Sequence, residues 1–330
     1  GHTRIWGGSR RLPWLLASKK PWIGNVQPFP ASSPMPHLTA LIITYRPDPS
    51  LLNRLLLALA PQVTQGRVIH NGSAVDFPAS VVLPVGFSCD YLGDNLGIAT
   101  ALNHGCAWAE AEGADYILTF DQDSEPAPDM VAVLLAAYGD LTASGQRVGA
   151  VGPVQADRRT GKLSHFLAPI HGARHWVQPT VGTCVEVDHL ITSGCLFPLA
   201  AWQNNGRFLD ALFINYVDTE WSLRLRSHGW QLYGVGSARL LHAIGDEVVK
   251  WRGQEIAMHS PLRHYFLLRN GVYLQTLPYI SAAWKRSDAL QLLKKWVFFS
   301  LVGRPRWAHF GMMLRGILDG LKGRLGGAPR

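Results

Sequence analysis

The sequence predicts an α/β protein with a mostly parallel central sheet in a Rossmann-like layer. Strand-length and helix-length segments alternate between residues 38 and 139, the order expected when helices cross over between parallel strands. The first strand segment, residues 38–44, is a continuous apolar run, as in strands that are covered on both faces. Because 47% of the 330 residues are apolar and only 16% are charged, the chain can bury a large core.

The first strand is predicted at LTALIIT, residues 38–44, because the run is apolar and rich in β-branched side chains. A helix follows it, with Asp48 as the N-cap and Pro49 in the first helical position. Further strands are predicted at 67–71, 87–92 and 115–121, and further helices at 97–113 and 128–139.

After VGAVGPV, residues 148–154, the alternation becomes less regular. Strands are predicted within 184–198, a helix at 217–229, and helices again from 262 onwards, where 307–325 carries a narrow apolar stripe with basic residues beside it. The chain therefore divides into a leader at 1–36, expected to be extended or poorly ordered, an α/β domain at 37–258, and a basic, amphipathic helical region at 259–330.

The net charge of +8 lies near the C-terminus. Residues 284–330 hold ten Lys and Arg against two Asp and Glu, and the remainder balances at 21 against 21. This distribution indicates an anionic partner, either a membrane surface or a nucleic acid. No nucleic-acid recognition motif accompanies the basic segment, so we expect no nucleic-acid partner.

Cysteine spacing and hydropathy bear on the cellular compartment. The four cysteines show no CxxC spacing, which is typical of reduced thiols in a cytosolic protein. No apolar run reaches the roughly 18–20 residues that a bilayer-spanning helix needs.

Two aspartates, Asp121 and Asp123, follow the apolar strand at 115–121 directly. Ligands of open α/β sheets bind at the carboxyl ends of the strands, and Mg²⁺ or Mn²⁺ prefers carboxylate oxygens there. The sequence DQDSEP is also good turn material. From these residues alone a metal site and a solvated turn both remain open.

Other predicted strand ends carry polar or aromatic residues. Tyr45 could stack on a base, and Asn71 could hydrogen-bond a base edge or form an Asn-Gly turn. Asp94, Asn95 and Gly97 precede a helix N-terminus, where backbone N–H groups favour anions. Together these ends outline a nucleotide pocket, although neither GxGxxG nor GxxxxGK[ST] is present.

Four motifs together carry a family resemblance: DNLG at 94–97, DQDS at 121–124, SGCLFP at 193–198 and INYVDTEWSLRLRSHGW at 214–230. The chain resembles family 2 inverting glycosyltransferases of the GT-A fold over residues 38–275. DQDS, SGCL and VDTEWSLR are most similar to the bacterial rhamnosyltransferase branch, which uses dTDP-L-rhamnose. The resemblance implies a GT-A catalytic domain at 37–258 with a C-terminal helical extension.

The resemblance also implies roles on the donor side of the site. Asp123, with Asp121, would bind Mg²⁺ or Mn²⁺ at the donor pyrophosphate, and Asp121 could instead contact the sugar. His242 would be a third metal ligand, although a lone histidine is more often simply packed. The nucleoside would be lined by Tyr45, Asn71 and Asn95.

On the acceptor side, Asp218 matches the family's general base, which removes the proton of the attacking hydroxyl; an ordinary carboxylate of a helix N-terminus is the alternative. Ser193 and Gly194 would border the donor sugar and the acceptor. Arg269 matches a donor-phosphate contact, or else belongs to a pair on a helix surface. The chain departs from the family at His70, where many relatives carry an acidic residue, and at NYVD, where some carry paired acids.

The resulting hypothesis is a metal-dependent rhamnosyltransferase that acts on a bacterial glycan or lipid-linked acceptor, in cell-surface polysaccharide or rhamnolipid synthesis. We expect it in the cytoplasm, bound peripherally at the cytoplasmic face of the inner membrane. One alternative keeps the mechanism with another donor, such as a UDP-hexose. A second is an inactive protein that binds a nucleotide sugar or a membrane.

Overall fold

The structure is a computed structural model, and it describes residues 22–23, 36–158, 161–242, 248–251 and 254–329. Its strands are β1 (Trp22–Ile23), β2 (Leu38–Thr44), β3 (Gln65–His70), β4 (Phe87–Tyr91), β5 (Tyr116–Asp121), β6 (Ser124–Pro126), β7 (Val148–Asp157), β8 (Phe166–Leu167), β9 (Trp176–Val177), β10 (Thr183–Glu186), β11 (Cys195–Pro198), β12 (Gln231–His242), β13 (Val248–Trp251) and β14 (Gln254–Ala257). Its helices are α1 (Pro49–Leu59), α2 (Ile98–Ala111), α3 (Met130–Ala143), α4 (Leu199–Asn205), α5 (Val217–Ser227), α6 (Pro261–Leu274), α7 (Ala282–Val302) and α8 (Arg306–Leu321).

Ten of these strands form one sheet, in the order β1-β10-β12-β7-β11-β5-β2-β3-β4, with β6 paired to β12. The pairs β2–β3, β2–β5, β3–β4 and β7–β12 are parallel. β11 lies antiparallel between β5 and β7. The predicted α/β class with a mostly parallel central sheet is therefore confirmed.

The sheet is covered on both faces. Every residue of β2 is buried, and its side chains alternate between the two layers. Leu38, Ala40 and Ile42 pack with α1 and α3, whereas Leu41 and Ile43 pack with α2 and α5. This double burial is the physical reason why the strand reads as a continuous apolar run.

Local signals in the first βα unit are also confirmed. The Asp48 carboxylate accepts hydrogen bonds from the backbone N–H groups of Ser50 (2.8 Å) and Leu51 (3.2 Å), so Asp48 is the N-cap of α1. Pro49 is the first helical residue, as predicted. The cap fixes the start of α1 only a few residues after β2 and leaves Tyr45 in the intervening turn.

The three C-terminal helices pack closely because glycines line one of them. A Cβ atom on Gly316 would lie 2.5 Å from the Tyr265 carbonyl oxygen, and one on Gly320 would lie 2.5 Å from that of Arg269. α8 therefore lies directly against the backbone of α6. The predicted C-terminal helical extension is present, and no described helix is long and apolar enough to cross a bilayer.

The predicted division of the chain rests on a leader at 1–36 and on two domain limits. Within 1–36 the structure describes only 22–23 and 36, and β1 pairs antiparallel with β10 at the sheet edge; the rest of the leader lies outside the described residues. The domain limits at 36/37 and 258/259 stay predictions.

Candidate active site

The carboxyl ends of β2, β3 and β5 meet at one edge of the sheet. β2 lies between the other two strands, with Thr44 opposite His70 and Ile43 opposite Asp121. The backbone N–H of Tyr45 donates to the Gln122 side chain at 2.8 Å, which ties the turn after β2 to the one after β5. The turns after these strands are therefore neighbours, at the edge of the sheet where the sequence predicts a ligand site.

The two predicted nucleoside contacts on this edge, Asn71 and Asn95, bind each other. Asn71 Nδ2 donates to Asn95 Oδ1 at 2.9 Å, and the backbone N–H of Leu96 donates to Asn71 Oδ1 at 2.8 Å. Asn95 Oδ1 also accepts from Gly97 N, and the Asp94 carboxylate accepts from Asn95 N. These bonds order the 94–97 loop, and the base contacts stay predictions.

Gly97 is required by a close backbone approach. It has φ +90°, and a Cβ atom there would lie 2.8 Å from Phe213 Cα. The N–H of Ile98, the first residue of α2, donates to the Phe213 carbonyl oxygen at 2.7 Å. This N–H is therefore not available to an anion, and the anion contact predicted for the start of α2 stays a prediction for its other N–H groups.

Position 70 carries a histidine where the family resemblance implies an acidic residue in many relatives. The structure shows how this histidine packs. His70 is fully buried, and its Nδ1 lies 3.0 Å from Thr44 Oγ1. Burial lowers its pKa, which favours the neutral imidazole. His70 therefore belongs to the packed interior beneath the strand ends.

Asp121 lies beside the residues that precede β11. Its backbone N–H donates to Ser193 Oγ at 3.3 Å, and Thr192 Oγ1 donates to its carboxylate at 3.4 Å. Ser193 Oγ also contacts Ser124 Oγ. Gly194 has φ +80°, and a Cβ atom there would lie 2.6 Å from Pro153 Cγ. The structure thus brings together the predicted residues Asp121, Ser193 and Gly194.

The metal prediction involves Asp121, Asp123 and His242. The two carboxylates are half-buried at the end of β5. The backbone of His242, at the end of β12, pairs with Ser124, so this residue lies across from the one after Asp123; its side chain lies outside the described part. Among the described residues no group of three His, Cys, Asp or Glu side chains forms a metal site. The ligand set stays a prediction.

The loop before the candidate base Asp218 is strained. Phe213 has φ 64° and ψ −65° and forms a γ-turn in which Ile214 N donates to Leu212 O at 2.7 Å. Asn215 and Tyr216 also have positive φ values of 65° and 60°. Such conformations cost about 1–3 kcal/mol each outside glycine and persist where their surroundings enforce them.

Asp218 lies in the first turn of α5 and is half-buried. Its Oδ1 accepts from the backbone N–H of Thr219 at 2.7 Å. A partly exposed carboxylate can accept a proton from an approaching hydroxyl. The geometry is compatible with the predicted base, and the role stays a prediction.

Arg269 and Asn270 hold the strained loop. Arg269 is fully buried, and its guanidinium donates to the carbonyl oxygens of Ala211, Leu212 and Gly326 and to Asn270 Oδ1. Asn270 Nδ2 lies within 2.9 Å of the carbonyl oxygens of Leu212, Ile214 and Asn215. In this structure the guanidinium of Arg269 is buried and holds the loop before Asp218 through these carbonyls; its donor-phosphate contact stays a prediction.

A second set of contacts fastens this region to α7. Tyr216 donates its hydroxyl hydrogen to the Asp288 carboxylate at 3.0 Å. Arg174, from the segment between β8 and β9, donates to Ser287 Oγ at 2.9 Å and lies 3.6 Å from Asp288. Burial raises the pKa of Asp288. The sequence gives no local signal for these contacts, since Asp288 is 72 residues from Tyr216.

Comparisons with known proteins agree with this architecture. The family model described as glycosyl transferase family 2 matches residues 39–186. The dTDP-rhamnosyl transferase RfbF of Shigella flexneri is 29% identical over 299 residues, covering 88% of this chain and 97% of that protein.

Two solved structures share the fold. TarS 1-349 of S. aureus, in complex with UDP-GlcNAc, has a TM-score of 0.50 at 14% identity. The match covers 86% of this chain and 81% of the TarS chain. GalNAc-T7 with UDP, GalNAc and Mn²⁺ has a TM-score of 0.50 at 13% identity and covers 84% of this chain. The match extends over 58% of GalNAc-T7. With the sheet and its ligand edge, these findings show that the chain has the GT-A fold and that residues 39–186 are similar to glycosyl transferase family 2, and they support a hexosyltransferase.

Proposed function

We propose that this chain is an inverting rhamnosyltransferase that moves L-rhamnose from dTDP-β-L-rhamnose to a hydroxyl group of a bacterial glycan or glycolipid. One observation carries the choice of donor. The similarity to the Shigella dTDP-rhamnosyl transferase extends over 88% of the chain, well beyond the family domain at 39–186. The acceptor belongs to cell-surface polysaccharide or rhamnolipid synthesis.

In the proposed reaction, the acceptor oxygen attacks the anomeric carbon of the donor. The bond from this carbon to the diphosphate oxygen breaks, and dTDP leaves with the electron pair. Asp218 takes the proton of the attacking hydroxyl. Direct displacement inverts the configuration and produces an α-L-rhamnoside.

The residues at the end of β5 fit a hard divalent cation. Asp121 and Asp123 supply carboxylate oxygens at a half-buried strand end, the donor type that Mg²⁺ and Mn²⁺ prefer. His242 is the proposed third ligand. When bound, the cation would offset negative charge on the departing diphosphate. Gln122, between the two aspartates, holds the turn against Tyr45, so the strand end is already ordered for this use.

Chelation is expected to abolish turnover. With dTDP-β-L-rhamnose and excess EDTA, dTDP release should fall to background, and added Mn²⁺ or Mg²⁺ should restore it. Asp123→Asn should lower dTDP release by about 10²–10³-fold, since the metal contributes several kcal/mol and each 1.4 kcal/mol is tenfold. The measurement is dTDP release over time.

The exposed carboxylate of Glu112, at the C-terminal end of α2, provides a matched control as Glu112→Gln, which should release dTDP at the wild-type rate. Full activity in EDTA would contradict the metal proposal. The same assay with UDP-hexoses tests the other donor class, which the UDP-sugar complex of the S. aureus fold relative keeps as a second candidate. Donor binding without nucleotide diphosphate release from any donor would indicate an inactive protein.

We further propose that α7 and α8 contact an anionic membrane. Both helices expose apolar side chains at helical spacing: Leu290, Leu293, Val297 and Leu301 on α7, and Trp307, Leu314, Leu318 and Leu321 on α8. His309 and Met313 of α8 point inwards, so the stripe predicted from the sequence is divided between core and surface. The segment 284–330, which contains most of both helices, carries the excess of basic residues. Exposed apolar side chains on a basic segment fit anionic headgroups.

This surface defines a vesicle experiment. The protein should co-sediment with vesicles that contain anionic lipid, less so as salt increases, and weakly with neutral vesicles. Leu301→Ser combined with Trp307→Ser should weaken binding about tenfold or more, because each apolar side chain buried contributes on the order of 1.5–3 kcal/mol.

Leu57→Ser, which changes an exposed leucine of α1, is the control and should bind vesicles like the wild type. Equal binding of the double variant would contradict the proposed surface. Location at the cytoplasmic face of the inner membrane is part of this proposal, and the four free thiols of the chain are compatible with it.

A further inference from the structure

A cavity of about 130 Å³ lies beside the donor edge. Its wall is formed by β7, by the β8–β9 segment and by the stretch before β11; the side chains that matter are Gln155, Ser164, His165, Trp176, His189 and Ser193. One water needs roughly 10–15 Å³, so the cavity has room for roughly ten waters. A hexose unit has a comparable number of non-hydrogen atoms.

One side of the cavity reaches the proposed donor and metal residues. Ser193 lines the cavity, and its Oγ accepts from the backbone N–H of Asp121 at 3.3 Å. A group in the cavity would therefore lie next to the strand end at which the donor diphosphate is proposed to bind.

The other side approaches the candidate base. His189 lines the cavity, and its Nδ1 lies 3.2 Å from Asp188, whose carboxylate also accepts from Trp284 Nε1 at 2.9 Å. Burial lowers the pKa of His189, but the hydrogen bond and charge of Asp188, with the charge of Asp218, outweigh it and raise that pKa. On the same stretch, the backbone N–H of Leu190 donates to Ser222 Oγ at 3.3 Å, and Ser222 lies one turn after Asp218 on α5. A hydroxyl group must occupy the space between donor and base before it can attack.

The lining indicates the class of ligand. Trp176 is 56% exposed at the cavity, although an indole of that size is usually buried. Around it are two imidazoles, an amide and hydroxyl groups beside the apolar side chains of Phe166, Leu167, Leu190 and Ile191, and the described lining holds no Lys or Arg. This mixed lining suits a sugar, which presents an apolar C–H face to an aromatic ring and hydroxyl groups to polar side chains. A diphosphate needs cations, and an alkyl chain would leave the buried polar groups without hydrogen-bond partners.

We propose that this cavity is the subsite for a sugar unit of a carbohydrate acceptor, with Trp176 as the stacking surface and His165 and His189 as hydroxyl contacts. The inference rests on the proposed function and specifies its acceptor: the attacked hydroxyl belongs to a glycan or to the sugar of a glycolipid, not to an alkyl alcohol. Arg174, fixed to Ser287, holds the segment that carries Trp176 against the domain.

The test is direct binding, which requires no turnover. Saturation-transfer difference NMR is measured with a panel of methyl hexosides and with 1-octanol. Ring protons of at least one hexoside should receive saturation from the wild type. Its affinity should fall roughly tenfold in Trp176→Ala, the loss expected for one stacked ring, and recover in Trp176→Phe. Val181→Ala, an exposed residue of the same segment outside the cavity, should bind like the wild type.

Melting temperatures establish that each variant is folded. Equal hexoside binding by a folded Trp176→Ala protein would overturn the subsite, as would 1-octanol binding without hexoside binding, or no binding at all. Hexoside binding that depends on Trp176 in a protein that releases no dTDP would retain the subsite and reject rhamnosyl transfer. Active rhamnosyl transfer together with hexoside binding that does not depend on Trp176 would retain the proposed function and reject the subsite.

Discussion

Asp218→Asn is expected to lower kcat for rhamnosyl transfer by about 10²–10⁴-fold, the usual contribution of a positioned base, while dTDP still binds. Asparagine is similar in shape and can still accept the Thr219 N–H bond, which the Asp218 carboxylate now accepts at 2.7 Å. It cannot take the proton of the attacking hydroxyl. The loss should therefore appear in kcat rather than in donor affinity.

The measurement is steady-state dTDP release with acceptor, together with dTDP affinity by calorimetry. Glu112→Gln again serves as the carboxylate control. Near-normal turnover of Asp218→Asn would remove Asp218 from the role of base. Loss of donor affinity together with turnover would mean that the carboxylate organises the donor edge instead.

Arg269→Met is expected to lower the free energy of unfolding by about 3–5 kcal/mol, because the buried guanidinium has several partners that methionine cannot satisfy. Its lost partners are the carbonyls of Ala211, Leu212 and Gly326. The first two lie at the start of the strained loop before Asp218, so turnover should decrease in the folded fraction as well.

Urea unfolding monitored by tryptophan fluorescence measures this change. Arg263→Met, on the exposed face of the same helix, is the control, and a shift within about 0.5 kcal/mol is expected there. An Arg269→Met protein with wild-type stability and a raised KM for the donor would instead support the donor-phosphate contact that the family resemblance implies for Arg269.

The sequence was sufficient for the parts of the fold whose signals are local. β2 was readable because both its faces are buried, and α1 because Asp48 and Pro49 mark its start. β12 was missed although it lies within the sheet, since its segment contains two glycines, a serine and an arginine, and its pairing shifts register between Val235 and Arg239. The two-residue strands β8 and β9 form only through pairing with each other.

The residues of the candidate site likewise divide into those with a local signal in the sequence and those without one. The common position of Tyr45, Asn71 and Asp121 could be predicted because they lie at or just after strand ends, and the ends of neighbouring parallel strands share an edge; their roles stay predictions. The packing of Arg269 could not be predicted, because its partners come from the 211–212 loop and from Gly326, which are distant in the sequence. Trp176 was missed because nothing in its own segment distinguishes an exposed tryptophan at a cavity from one in the core.

The contacts of α7 have a consequence for exchanging parts between relatives. Through Asp288 this helix binds Tyr216, two residues before Asp218, and through Ser287 it binds Arg174 in the segment that carries Trp176. A chimera that receives the 161–191 segment of another family member, but keeps its own α7, would join surfaces that never evolved together. Acceptor preference is therefore expected to transfer only when 161–191 and the C-terminal helices move as one unit, while the donor half at 39–158 can stay.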